Sequence, residues 1–220
     1  MNECHPRDTP MITREARNKN IEKNPNESRK VEVLYREAIG SLLYLANVTS
    51  PDISFAVNLL SRSQSNPTEQ DWIDVKRILR HLKRTIDLSL TYRGIKQDIE
   101  IYTDSSFKDN PDSTYTSGLA VFLFGDTIMW RSQMQRIPNF STCSAEYYAM
   151  CEGCQEGVSL DKAIRDMLGK TMYPITLFCD NKDARQCTQK EGSHRLKDLM
   201  AKQMILEQSA MTEVPEEEQD

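Results

Sequence analysis

The sequence predicts an α/β protein with a mixed sheet and flanking helices, preceded by a small helical subdomain. Three observations carry this. Apolar positions between Tyr35 and Leu82 recur at helical spacing in three blocks. Runs from Ile99 to Ser132 then follow the period of two expected of strands. The rest gives helix, strand, helix and helix, which beside an antiparallel run suggests a sheet of mixed direction.

The chain of 220 residues, 38% of them hydrophobic, is long enough for a packed core of one or two domains. No apolar run approaches the roughly 20 residues that span a bilayer, and the first residues lack a charged-then-apolar signal pattern. The expectation is a soluble intracellular protein without a membrane partner, cytoplasm and nucleus not being distinguished. The six cysteines, Cys4, Cys143, Cys151, Cys154, Cys179 and Cys187, are scattered through helices and strands, which favours free thiols over a disulfide framework. Cys151 and Cys154 form a C-x-x-C inside an apparent helix without a second pair at zinc spacing, so packed thiols are expected there. Net charge is −5 but unevenly spread. Residues 1–95 hold 15 Lys and Arg against 12 acids, and residues 96–220 hold 13 against 21.

Residues 1–30 show no apolar period and suggest an extended or disordered lead-in. The first predicted helix carries Tyr35, Ile39, Leu42, Leu43 and Ala46. A second starts at "SPDISFAV" with Ser50 as N-cap and Pro51 in the first helical position, and buries Ile53, Ala56, Val57 and Leu60. A third follows "NPTEQDW", where Thr68 and Asp71 have the spacing of a capping box, and buries Trp72, Val75, Ile78, Leu79 and Leu82. That helix also bears Lys76, Arg77, Arg80, Lys83 and Arg84, either a solvated face or a phosphate-contacting one.

After Gly94 the predicted strands are "IEIYTD", "GLAVFLF", "TIMWRS" and a short "IPNFST", with a hairpin turn at Gly125-Asp126. A long helix begins near Ser144, "PITLFCD" is a further strand, and helices cover Lys182 to Gln189 and about Leu196 to Ser209. The tail "EVPEEEQD" is acidic and expected to be disordered.

Three acids share a placement in this half. Asp104 ends the first strand, Glu146 lies in the first turn of the long helix, and Asp180 ends "PITLFCD". Strand ends and a helix start packed on one sheet can converge in one crevice, where carboxylates suit a hard cation such as Mg²⁺. Two such ions could clamp the attacking and leaving oxygens of a phosphodiester displacement. Each acid also has a plainer reading: Asp104 as a loop acid, Glu146 as a partner of the helix dipole, and Asp180 with Asn181 as a cap of the next helix.

The series "YREAIGSLLYLANVTSPDISFAVNLLSRSQSNPTEQDWIDVKRILRHLKRT", "YTDSSFKDN", "TSGLAVFLFG", "IMWRSQMQ", "STCSAEYYAM" and "FCDNKDA" resembles the C-terminal part of copia-type LTR-retrotransposon Pol polyproteins. "MNECHPRDTPM" looks like the end of the reverse transcriptase, and the likeness runs to about Gln208. It implies a helical connection remnant over 31–95 and a ribonuclease H-like domain over 96–209, ahead of the acidic tail over 210–220 that the charge pattern indicates. The implied activity is metal-dependent hydrolysis of RNA in RNA–DNA hybrids, with Mg²⁺ or Mn²⁺ as cofactor. By resemblance, Asp104 matches the first Asp of "Y-S-D-A-D", Glu146 the Glu of "S-T-E-A-E-Y", and Asp180 the Asp of "C-D-N", all as metal ligands and catalytic residues. His194 is the further catalytic candidate, for product release or proton transfer, or else a polar residue at a helix start. The basic helix then becomes a candidate hybrid-binding surface, and the rest of a retrotransposon polyprotein a candidate partner.

The chain departs from the family pattern at its last motif, approximately H-x-R-T-K-H-I-D. In "SHRLKDLMAKQ", Met200 takes the place of the final Asp, and Asp198 lies two residues earlier, roughly 200° away round a helix. Ser106, Ser113, Thr114 and Ser144 also differ from the residues usual at their positions. Loss of the fourth carboxylate should weaken binding of a second cation and impair hydrolysis. A catalytically inactive transposon remnant or a nucleic-acid-binding module is therefore the alternative. No paired-Asp polymerase motif occurs in this sequence, so no reverse transcriptase site is expected of it.

Overall fold

A computed structural model describes residues 4–12, 28–106, 115–135 and 141–189. They divide into two compact units between Leu90 and Thr91. Among the described residues no helix is long and apolar enough to cross a membrane.

The first unit holds three helices, α1 (Ser28–Val48), α2 (Ser54–Ser61) and α3 (Glu69–Arg84). Its core joins Tyr35, Ile39, Leu42 and Ala46 to Ile53, Ala56, Val57, Leu60, Val75 and Ile78, with Trp72, Leu43, Leu79 and Leu82 partly buried around it. The 3–4 residue spacing that predicted these stripes is what one face of a helix requires. Tyr35 keeps its ring in this core because its hydroxyl donates to the Leu60 carbonyl at 2.7 Å. The Thr68–Asp71 capping box forms as predicted, with Asp71 N donating to Thr68 Oγ1 and Thr68 N to Asp71 Oδ2.

The start of the second helix differs from expectation. Pro51–Ile53 form a 3₁₀ turn ahead of α2, and the Ser50 hydroxyl makes no capping bond; it lies 3.2 Å from Thr49 Oγ1 instead. A single turn leaves few orphan amides, and Pro51 has none to offer.

The second unit is a four-stranded mixed sheet with helices: β1 (Ile99–Ser106), β2 (Thr116–Leu123), β3 (Asp126–Met134), α4 (Thr142–Leu168), β4 (Thr176–Phe178) and α5 (Lys182–Gln189). The strand order is β3-β2-β1-β4, antiparallel throughout except for β4, which runs parallel to β1 after the α4 crossover. A three-strand meander followed by a helix and a strand returning beside the first is the ribonuclease H-like arrangement. Ile99, Ile101, Leu119, Val121, Met150, Cys154, Ile164, Ile175 and Leu177 are among its core residues.

Three boundaries move relative to the sequence reading. Phe124 and Gly125 both take positive φ (57° and 87°), and Leu123 faces Asp126, so the two-residue hairpin loop is Phe124-Gly125. Asp126 opens β3, where its Oδ2 accepts the amides of Arg93 (2.6 Å) and Gly94 (2.7 Å). Ser141 N-caps α4 with Ser144 completing its capping box, so the helix begins at Thr142, two residues before the predicted start. The predicted strand "IPNFST" therefore ends in a helix start at Ser141–Thr142, its first four residues lying outside the described ones. The last predicted helix, Leu196 to Ser209, and the acidic tail also lie outside them.

Asp161 fixes the connection from α4 to β4. Its side chain is fully buried and accepts from Met172 N (2.7 Å), Thr171 Oγ1 (3.0 Å) and Arg165 Nη2 (3.2 Å). Asp161→Ala removes the acceptor from Met172 N and Thr171 Oγ1 and leaves a gap where the buried carboxylate sat, and should cost about 1–3 kcal/mol in denaturant unfolding.

Candidate metal centre

Glu146 is placed by the periodicity of α4. With Met150, Gly153, Gly157, Asp161 and Ile164 it lies on the stripe turned to the sheet, and it is only 6% exposed. Because α4 starts at Thr142, Glu146 is its fifth residue, past the first turn whose amides a dipole partner would serve. Two glycines let the helix approach. A Cβ at Gly153 would stand 2.7 Å from Thr103 Cγ2, and one at Gly157 would stand 2.7 Å from Ile101 Cδ1. That close approach allows Ser105 N to donate to Glu146 Oε1 at 3.1 Å. Gln135, buried just after β3, steadies the same turn by donating to the Ala145 carbonyl and to Ser117 Oγ, both at 2.9 Å.

Asp104 lies inside β1 rather than at its end, since the strand continues to Ser106 opposite Gly118, Ser117 and Thr116. Ile99, Ile101 and Thr103 are buried, and Asp104, which alternates with them, is exposed. Asp180 is also exposed, two residues beyond β4. The cap foreseen for this segment belongs to Asn181, whose Oδ1 accepts from Ala184 N at 2.9 Å.

Glu146, Cys179 and Asp180 offer ligand atoms within 4.8 Å of one another, the one such group among the described residues. Glu146 and Asp180 thus come together as the sequence suggested, while Asp104 stands outside that group. Cys179 was not foreseen in it; its Sγ lies 3.9 Å from Glu146 Oε2. Being next to Asp180 on a parity buried toward α4, it had a signal in the sequence only through its neighbour. Asp183 is exposed on α5 and outside the group.

The charges of these acids act on one another. Burial first, opposed by hydrogen bonding from Ser105 and aided by the charges of Asp104 and Asp180, leaves the Glu146 carboxyl raised to about 7. Burial likewise raises the Cys179 thiol to about 11, with the Glu146 and Asp180 charges adding to it. The two carboxylates offer the oxygen donors that a hard divalent cation takes, and its charge would offset the burial and repulsion that raise Glu146, while the Cys179 thiol is a soft donor that such an ion does not favour.

The other predicted site residues have different surroundings. In the first unit Arg77 donates to Thr9 O (3.1 Å) and Thr9 Oγ1 (2.8 Å), Lys83 to Cys4 O (3.1 Å), and Arg84 pairs with Asp8 (2.6 Å). Arg80 accepts Arg7 N through its carbonyl, and Lys76 sits over the Trp72 ring at 5.6 Å. Buried His81, unremarked in the sequence, adds contacts to Asp52 Oδ2 (2.7 Å) and the Arg7 carbonyl (3.3 Å). Much of the basic face thus holds the segment 4–9, an alternative that charge counting alone does not reveal. His194, Asp198, Met200, Ser113 and Thr114 lie outside the described residues.

The strand order β3-β2-β1-β4, with β4 parallel to β1 after α4, makes the second unit a ribonuclease H-like fold. No family model matches the chain. It is 34% identical over 154 residues to the retrovirus-related Pol polyprotein from transposon TNT 1-94 of Nicotiana tabacum, covering 70% of this chain and 12% of that protein. It is 36% identical over 140 residues to the secreted RxLR effector protein 161 of Plasmopara viticola, covering 62% of this chain and 98% of that protein. A foamy viral protease-reverse transcriptase solved with an RNA/DNA hybrid aligns with a TM-score of 0.48 at 17% identity, over 95% of this chain and 28% of that one. The chain belongs to the copia-type retrotransposon Pol family, and spans about a tenth of the length of the Pol polyproteins it matches.

Proposed function

We propose that the second unit is a metal-dependent ribonuclease acting on RNA–DNA hybrids, with Asp104, Glu146 and Asp180 as its cation-binding acids. The observation that carries this reading is the convergence of buried Glu146 from α4 and exposed Asp180 from beyond β4, with ligand atoms within 4.8 Å of each other, beside the strand that bears Asp104. Such crowding of acids, one of them buried on a helix face, costs stability unless a cation or a proton offsets it. The residues fit a divalent cation, Mg²⁺ or Mn²⁺, whose contribution when bound is to neutralise developing charge on the scissile phosphate. Glu146 is held for that role by Ser105 N and by the α4 stripe. Gln135 keeps the first turns of α4 in place, and exposed Asp104 and Asp180 leave the cluster open to a backbone phosphate.

Membership of the Pol family supports the same reading. In this reading His194 serves proton transfer or product release, and Lys76, Arg77, Arg80, Lys83 and Arg84 contribute phosphate contacts once segment 4–9 yields them. The rest of a Pol polyprotein is the corresponding protein partner.

The test is cleavage of a labelled RNA–DNA hybrid by the full chain across Mg²⁺ and Mn²⁺ titrations. Cleavage of the RNA strand that falls at least about 100-fold in Asp180→Asn is expected. Absence of cleavage at every concentration of either cation would point to the inactive remnant instead.

A further inference from the structure

Cys143 lies in the first turn of α4, three residues before Glu146, and Cys187 lies on α5, seven residues after Asp180. Their sulfurs are 4.0 Å apart, and both residues are half-buried free thiols. The two cysteines come from helices 44 residues apart in sequence that pack against each other. We propose that Cys143 and Cys187 form a reversible disulfide under oxidation, tying the start of α4 to α5 and so bracing the two segments that carry Glu146 and Asp180.

The geometry favours this pair over the others. A disulfide needs sulfurs about 2.05 Å apart, and side-chain rotation can close a gap of this size where two helices already touch. Cys154 and Cys179 are buried, and Cys151 and Cys154 sit on one helix, where a bond would brace nothing. Burial, the neighbouring Cys187 thiol and the charges of Asp183 and Glu146 raise the Cys143 thiol, so the reaction should be slow at neutral pH and quicken in alkali.

The oxidant is a low-molecular-weight disulfide such as oxidised glutathione. One protein thiolate attacks it, forming a mixed disulfide and releasing one glutathione thiolate. The second protein thiolate then attacks the protein sulfur of that mixed disulfide, forming the Cys143–Cys187 bond and releasing the second glutathione. The protein loses two electrons and two protons, and the glutathione disulfide gains the two electrons.

The full chain is incubated with oxidised glutathione, blocked with an alkylating agent, and mapped by non-reducing peptide mass spectrometry. The expected result is an intramolecular Cys143–Cys187 peptide, two alkylatable thiols fewer, and a Tm raised by roughly 5–15 °C for closing a loop of this length. A thiol reductant reverses all three. Cys187→Ser should remove the linked peptide and the Tm rise, while Cys151→Ser should keep both. A persistent glutathione adduct on Cys143, pairing of other cysteines, a cross-linked dimer, or no thiol loss would each overturn the proposal. None of these readouts depends on hydrolytic activity.

Discussion

Replacing Glu146 by Gln is expected to stabilise the cation-free protein at neutral pH and to remove its response to divalent cations. The signs follow from the carboxyl, held near 7 rather than its ordinary 4.5 by burial first and by Asp104 and Asp180 next. The folded chain therefore binds this proton more tightly than the unfolded chain. The destabilising contribution is absent below about pH 4.5, grows as pH rises, and is complete above about pH 7. With solvent screening allowed for, it amounts to about 1–2 kcal/mol. Gln keeps a neutral side chain at every pH and should flatten that slope. Divalent cations should raise the Tm of the parent chain, more above pH 7 than below it, because cation and proton compete for Glu146. In Glu146→Gln that shift should vanish and hybrid cleavage should fall at least about 100-fold. Thermal unfolding at several pH values, with and without Mn²⁺, checks these expectations. An unchanged cation shift in the variant would remove Glu146 from the site.

Gly153→Val should be the most damaging single change to the second unit. A Cβ at this position already meets Thr103 Cγ2 at 2.7 Å, and Ile101 Cγ2 and Leu177 Cδ1 at 3.2 Å each. Thr103 is β-branched, short and tied by its hydroxyl to the Phe178 carbonyl at 3.2 Å, so it cannot swing aside. Valine forces α4 off the sheet, lengthens the Ser105–Glu146 contact, and should cost roughly 3 kcal/mol or more. Gly157→Ala is the contrasting case. Its close contact is the terminal Cδ1 of Ile101, which can rotate, and alanine gains about 1 kcal/mol of helix propensity. It should lie within about 1 kcal/mol of the parent. Urea unfolding of both variants tests the pair, and equal losses would show that close helix–sheet contact is not what Gly153 provides.

Much of the fold was legible locally. The stripe from Tyr35 to Ala46, the Thr68–Asp71 box and the alternation from Ile99 to Thr103 all appear where periodicity placed them, because neighbours three, four or two residues apart decide which face is buried. Boundaries were less legible. Gly125 fits either of two adjacent loops, and Ser141 offers a cap as good as the predicted start near Ser144, so the choice depends on pairing and packing.

The sequence by itself determined most of the order of elements and the family, and named Glu146 and Asp180, with Asp104, as acids from separate elements that could share a crevice. Only the tertiary structure brought Cys179 beside Glu146 and Asp180, left Asp104 exposed inside β1 and outside that group, set Gln135 under the start of α4, and laid the segment 4–9 along Arg77, Lys83 and Arg84. Periodicity fixes which side of each element is buried. How closely two elements approach is decided by contacts such as Gly153 against Thr103, between residues 50 positions apart, and no local pattern specifies that distance.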